Sequence, residues 1–150
     1  RWPSPFGYTS TYREAVADLT VSEIDVTGQV FSCARDESPR IHSGLRLYEE
    51  AQKIGPGEQS KRYFNLFRIH PDLPSPTVLA ENGNMGAAGL IAPDGTRKFS
   101  ITELLRLCSF PDDFKLIHNY ARNAERLGRA VPPLMMKAIA GAVAEALKGG

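Results

Sequence analysis

The last stretch of the chain can satisfy itself only as a helix covered on several sides. Pro132 and Pro133 suit a helix start. From there Leu134, Met135, Ala138, Ile139, Ala142, Val143, Ala146 and Leu147 recur at helical period, with Met136, Ala140, Gly141 and Ala144 between them. Little of such a helix is polar, so the pattern predicts close packing on more than one neighbour. The longest apolar run is shorter than the ~20 residues of a bilayer crossing, and the first residues lack the segments of a signal peptide, so no membrane partner is expected. The chain starts at Arg1 without an initiator methionine, and is expected to be processed or a piece of a larger protein.

Upstream, two capping boxes mark helix starts. Thr11 with Glu14 predicts a short helix with Tyr12, Ala15, Val16 and Leu19 on one face, and Ser100 with Glu103 predicts a Leu-rich helix that Pro111 ends. Ile41, Leu45, Tyr48 and Ala51 predict a third helix, stopped by Gly55, Pro56 and Gly57. Residues 20–40 read as irregular apart from a possible strand at Gln29, Val30 and Phe31. Strands are expected over residues 63–69 and 77–79, and Asp94 with Gly95 signals a hairpin between residues 90–92 and 97–99. Gly83, Gly86 and Gly89 punctuate a loop, and another loop is expected to contain Gly128.

At 150 residues and 42% hydrophobic, the chain suits one ordinary domain. With 18 Lys and Arg against 17 Asp and Glu, the net charge is +1, so any DNA surface must be a local patch. Lys53, Lys61, Arg62 and Arg68 outnumber Glu58 between residues 53 and 68, interleaved with Tyr63, Phe64 and Phe67. Lys61, Arg62 and Arg68 are candidate phosphate contacts. Cys33, Cys108 and the three histidines show no metal-ligand spacing, which predicts a reducing, cytoplasmic protein without a structural metal.

Arg97, Phe99, Ser100, Glu103, Leu107, Phe110, Pro111 and Asp112 together resemble the ninth conserved motif of the DNA (cytosine-5) methyltransferases. About 25 residues on, the run from Arg126 to Pro133 resembles the tenth. Pro74 to Val78 resembles the segment that precedes the ninth motif, and residues 3–19 the stretch that opens this half of such enzymes. The resemblance implies structural roles for Arg97, Ser100, Glu103, Phe110 and Pro111. It also implies that Gly128, Arg129 and Ala130 face the methionine end of S-adenosylmethionine, a glycine suiting close backbone approach and a guanidinium suiting the cofactor carboxylate. Arg129 stands where the family more often has Asn, and Ala92 where it often has His.

Family catalysis needs a Pro-Cys nucleophile, a glutamate and a Gly-rich cofactor loop. Cys33 follows Ser32 and Cys108 follows Leu107, so neither has that setting, and Cys108 reads as a small core residue. The resemblance therefore implies an α+β fold. It would be a small, mainly antiparallel recognition domain whose C-terminal helix packs on a Rossmann-like catalytic domain absent from this chain. Residues 1–19 would form a connector and short helix, 20–110 the target-recognition region, and 111–150 the tenth motif and last helix. Implied partners are double-stranded DNA and a catalytic N-terminal domain or subunit, in the same chain or another; the implied cofactor is S-adenosylmethionine, and this chain alone would be inactive. The alternative is a non-catalytic DNA-binding or assembly module derived from such an enzyme.

Overall fold

A computed structural model describes residues 11–19, 22–24, 37–41, 46–83 and 89–148. Helix α1, Tyr12–Val16, starts where the capping box places it: Thr11 Oγ1 accepts from the Glu14 amide (3.2 Å), and Glu14 Oε2 accepts from the Thr11 amide (2.9 Å). Helix α3, Ile101–Leu107, repeats the device with Ser100 and Glu103. Such caps satisfy amides that the first turn leaves without partners and stabilise a helix by roughly 0.5–2 kcal/mol. The predicted third helix is α2, Arg46–Lys53. Its buried face is Leu47 and Ala51, continued by Ile54, whereas Ile41 is buried ahead of the helix and bonds through its amide to the Thr96 carbonyl (2.8 Å).

Strands β1 (Ser22–Ile24) and β2 (Glu37–Pro39) pair in parallel, as do β3 (Phe67–Arg68) and β4 (Leu90–Ile91). This corrects the mainly antiparallel expectation. Antiparallel contact among the described residues is confined to the bridges Arg40 to Arg97 and Gln59 to Phe67. The α+β class holds. The candidate strand at 29–31 lies outside the described residues, and the one expected over 63–69 shrinks to β3 because residues 61–65 bend and turn. Residues 77–79 join no ladder; they run into a 3-10 turn, Ala80–Gly83, that packs against helix α4, Tyr120–Arg129. At the predicted hairpin, Gly95 takes φ +79° and the Ala92 amide bonds back to the Arg97 carbonyl (3.0 Å), the left-handed turn that glycine favours.

The β3–β4 ladder separates two apolar cores. Successive side chains of a strand point to opposite faces. Leu66 and Ile91 accordingly meet Ile41, Leu47, Ala51 and Ile54 on the α2 side, while Phe67, Ile69, Leu90 and Ala92 face Phe99, Leu104, Leu105, Tyr120 and Leu127 on the other.

Helix α4 corrects a second expectation, since Gly128 lies within it and not in a loop. Asn119 Oδ1 caps it by accepting from the Arg122 amide (3.0 Å), and Tyr120, Asn123, Ala124 and Leu127 form its buried face. After an extended Ala130, helix α5 runs Pro133–Lys148 and buries none of its residues. Counted together, residues Tyr120–Lys148 are long and apolar enough to cross a membrane by length and composition alone, beyond what the sequence reading allowed. The break at Ala130 divides them, and the buried face of α4 is committed to the protein core.

Candidate functional site

Arg97, Ser100 and Tyr12 converge on one buried carboxylate, Glu103. Glu103 is 1% exposed. Its two oxygens take the Arg97 guanidinium (2.9 and 3.1 Å), the Tyr12 hydroxyl (2.7 Å) and the Ser100 amide (2.8 Å). Arg97 also reaches Asp94 (3.1 Å). Burial pushes the Tyr12 hydroxyl well above its ordinary range, and the Glu103 charge adds to it. Burial alone would lower the Arg97 pKa, but its bond to Glu103 and that carboxylate's charge prevail and raise it. A bidentate Arg–carboxylate pair with further hydrogen bonds is the geometry in which burying an ion pair is tolerable. The cluster joins α1, the 94–97 turn and α3, so Arg97, Ser100 and Glu103 are brought together as structure.

A second arginine ties the far end of α3. Arg106 bonds both oxygens of Asp112 (2.9 and 2.6 Å), both oxygens of Asp18, and the Ala15 carbonyl (3.2 Å). Phe110 packs on Phe114 with ring centroids 4.8 Å apart, and Pro111 follows at the surface. Together with Thr11, Ser75 and Leu134, Arg106, Phe110 and Pro111 line an open cleft of about 610 Å³. Ser109, held at φ +57°, accepts the Leu134 amide on its hydroxyl (3.1 Å). One side chain just after α3 thus caps α5. The sequence reading missed Tyr12, Arg106 and Ser109 as organising residues.

The three residues assigned to the cofactor differ in what they offer. A Cβ on Gly128 would fall on the backbone of Leu79 and Ala80, so the close approach that the glycine permits is made to the chain's own 3-10 turn. Arg129 is mostly exposed and pairs with Glu125 at 2.8 Å. Ala130 is the extended C-cap of α4, its amide bonded to the Leu127 carbonyl (3.1 Å). Of these, the Arg129 guanidinium has the chemistry to meet a carboxylate, whereas Gly128 leaves no room for a ligand at its α-carbon.

The basic stretch is divided likewise. Lys61 and Arg62 are exposed, with Arg62 lying 5.5 Å from the Tyr63 ring centroid. Arg68 instead turns inward and donates to the carbonyls of Pro93 (2.8 Å) and Ile54 (3.0 Å), beside Gly95. Lys98 is buried, which pulls its pKa down to about 8, with the Glu81 charge opposing. Its ammonium lies close to Gly89 and near Asn82, whose Oδ1 accepts the Leu90 amide (3.0 Å). These residues adjoin residues 84–88, where the glycine-punctuated loop is expected; that stretch, with Gly86, lies outside the described residues. Cys108 is buried and its thiol is pushed up to about 11 by desolvation, which makes it a poor nucleophile. Cys33 lies outside the described residues. No group of three metal-ligating side chains occurs among the described residues.

Comparison with known proteins gives this architecture a family. The model for the C-5 cytosine-specific DNA methylases matches residues 8–145. The chain is 37% identical over 94 residues to Type II methyltransferase M.AplI of Arthrospira platensis, covering 60% of this chain and 27% of that protein. It is 40% identical over 80 residues to DNA (cytosine-5-)-methyltransferase M.ApeKI of Aeropyrum pernix, covering 53% and 17%. Against Type II methyltransferase M.AquIB of Picosynechococcus sp., it is 31% identical over 122 residues, covering 73% of this chain and 84% of the relative. No solved structure matches. The chain belongs to the C-5 cytosine-specific DNA methylase family. It spans about a quarter of M.AplI and most of M.AquIB.

Proposed function

We propose that this chain is the target-recognition and cofactor-closing portion of a DNA (cytosine-5) methyltransferase. With its catalytic half it would transfer a methyl group from S-adenosylmethionine to C5 of cytosine in duplex DNA, in the cytoplasm. The observation that carries this reading is a contrast within one chain. Residues 97–103 are folded around the Arg97–Glu103 pair and α4 is packed through Gly128, yet none of the sixteen residues of α5 is fully buried. An apolar helix displayed in this way calls for a partner surface, and a catalytic domain or subunit supplies one. The lengths of the relatives fit both arrangements, since the chain matches a small part of M.ApeKI and most of M.AquIB.

S-adenosylmethionine would supply the methyl group. This chain's share of its site is the Arg129 guanidinium beside the extended Ala130, while Gly128 acts one step removed by seating α4 on residues 79–80. Lys61 and Arg62 would hold phosphate, and Arg68 braces the carbonyls of Ile54 and Pro93. Covalent trapping tests the assignment. The complete enzyme should be captured on a 5-fluorocytosine duplex equally well with Cys33→Ser and Cys108→Ala in place, and the cross-linked peptide should come from the catalytic half. Loss of trapping in a folded Cys33 or Cys108 variant would contradict it.

A further inference from the structure

The three aromatic residues of the basic stretch are sorted by the fold. Tyr63 packs against the α2 core and Phe67 against the other, while Phe64 is 84% exposed. The turn that carries it is pinned at several points. Ser60 Oγ donates to Glu50 Oε1 (2.7 Å) and accepts the amides of Arg62 (3.0 Å) and Tyr63 (3.1 Å). Gln59 donates to the Phe64 carbonyl, the Leu66 amide bonds to the Tyr63 carbonyl (2.9 Å), and Asn65 donates to Glu81 (3.0 Å). Phe64 therefore projects from a braced backbone, with the exposed cations of Lys61 and Arg62 three and two residues before it. The nearby carboxylates of Glu50 and Glu81 are occupied by Ser60 and Asn65.

A single exposed apolar side chain needs no explanation by itself. An exposed aromatic ring on a pinned turn that also carries two exposed cations has the layout of a nucleic-acid contact: an apolar surface for bases and charges for the backbone. We propose that the 60–65 turn is a DNA-contacting wedge, in which Phe64 lies against bases in a groove of the duplex while Lys61 and Arg62 hold neighbouring phosphates. This rests on the target-recognition reading above and adds a base-contacting residue to it. The two kinds of contact differ in their salt signature, because neutralising a phosphate releases counterions and an apolar contact does not.

In the complete enzyme, Phe64→Ala should weaken duplex binding about tenfold, the size of one aromatic-on-base contact, with the slope of log affinity against log salt unchanged. Lys61→Gln with Arg62→Gln should flatten that slope by about two units, roughly one per phosphate contact. Phe64→Trp should restore affinity, and its added fluorescence should be quenched by duplex DNA. Because Phe64 is exposed, its variants should unfold at the wild-type temperature. Wild-type DNA affinity in Phe64→Ala would overturn the inference, as would weakened association with the catalytic half in place of weakened DNA binding. A wild-type enzyme that binds no DNA would overturn the target-recognition reading itself, a distinct result.

Discussion

Two cations in neighbouring positions, one half-buried and one buried, behave in opposite ways. Arg97 is satisfied by Glu103 and Asp94, so its charge belongs to the folded state. The folded state raises the cost of charging Lys98, whose pKa falls from 10.5 to about 8 under desolvation. A lysine pKa lowered by folding means that the unfolded chain binds more protons between those two values. Stability should therefore rise with pH from about 8 to about 10.5, and the penalty should be fully present below 8. Chemical unfolding of wild type and Lys98→Met across that range measures it as a difference, which cancels the opposite contribution from the raised Cys108 thiol. The expected difference is up to about 3 kcal/mol across the window; parallel profiles would mean that Lys98 keeps its ordinary pKa when folded.

Elements were legible where their signals are local. Thr11 with Glu14 and Ser100 with Glu103 each specify a helix start within four residues, and the structure contains both capping boxes. The partner of Glu103 in α1 was not legible, because Tyr12 is 91 residues away and only packing brings the two together. Helix α4 was overlooked although Tyr120, Asn123, Ala124 and Leu127 recur at helical spacing, because one of the four is polar; Asn123 is buried by bonding the His118 backbone at 2.6 and 3.2 Å. Residues 77–79 have β-prone side chains, but they lie where α4 and Gly128 press on their backbone, which leaves no ladder edge. Strand direction depends on long connections, and the hairpin signal at Asp94 and Gly95 says nothing of how β3 meets β4. Gly128 and Gly141 separate these influences experimentally. Gly128→Val should destabilise the chain by about 2 kcal/mol or more, as overpacking against fixed atoms does. Gly141→Val, with nothing within 4 Å of its added carbon, should stay within about 0.5 kcal/mol in the chain alone. Urea midpoints of the two variants check this, and equal midpoints would refute the packing assigned to Gly128.

At the scale of the whole molecule, the family was readable in the order and spacing of two motifs, but the packing of the candidate site residues was not. The family resemblance put Gly128, and the basic stretch put Arg68, among ligand-facing residues, while packing turns the first onto residues 79–80 and the second onto the carbonyls of Ile54 and Pro93. What remains outward is Arg129, Lys61, Arg62, Phe64 and most of α5, the surface that the proposed function assigns to a cofactor, a duplex and a second folded body. The ion pairs and cores described above are made among the chain's own residues. The most direct measurement is methyl transfer from labelled S-adenosylmethionine to duplex DNA by this chain, by a catalytic half bearing the Pro-Cys nucleophile, and by the two combined. The account predicts product at C5 of cytosine from the combination and none from this chain alone. Methyl transfer by the isolated chain would contradict it.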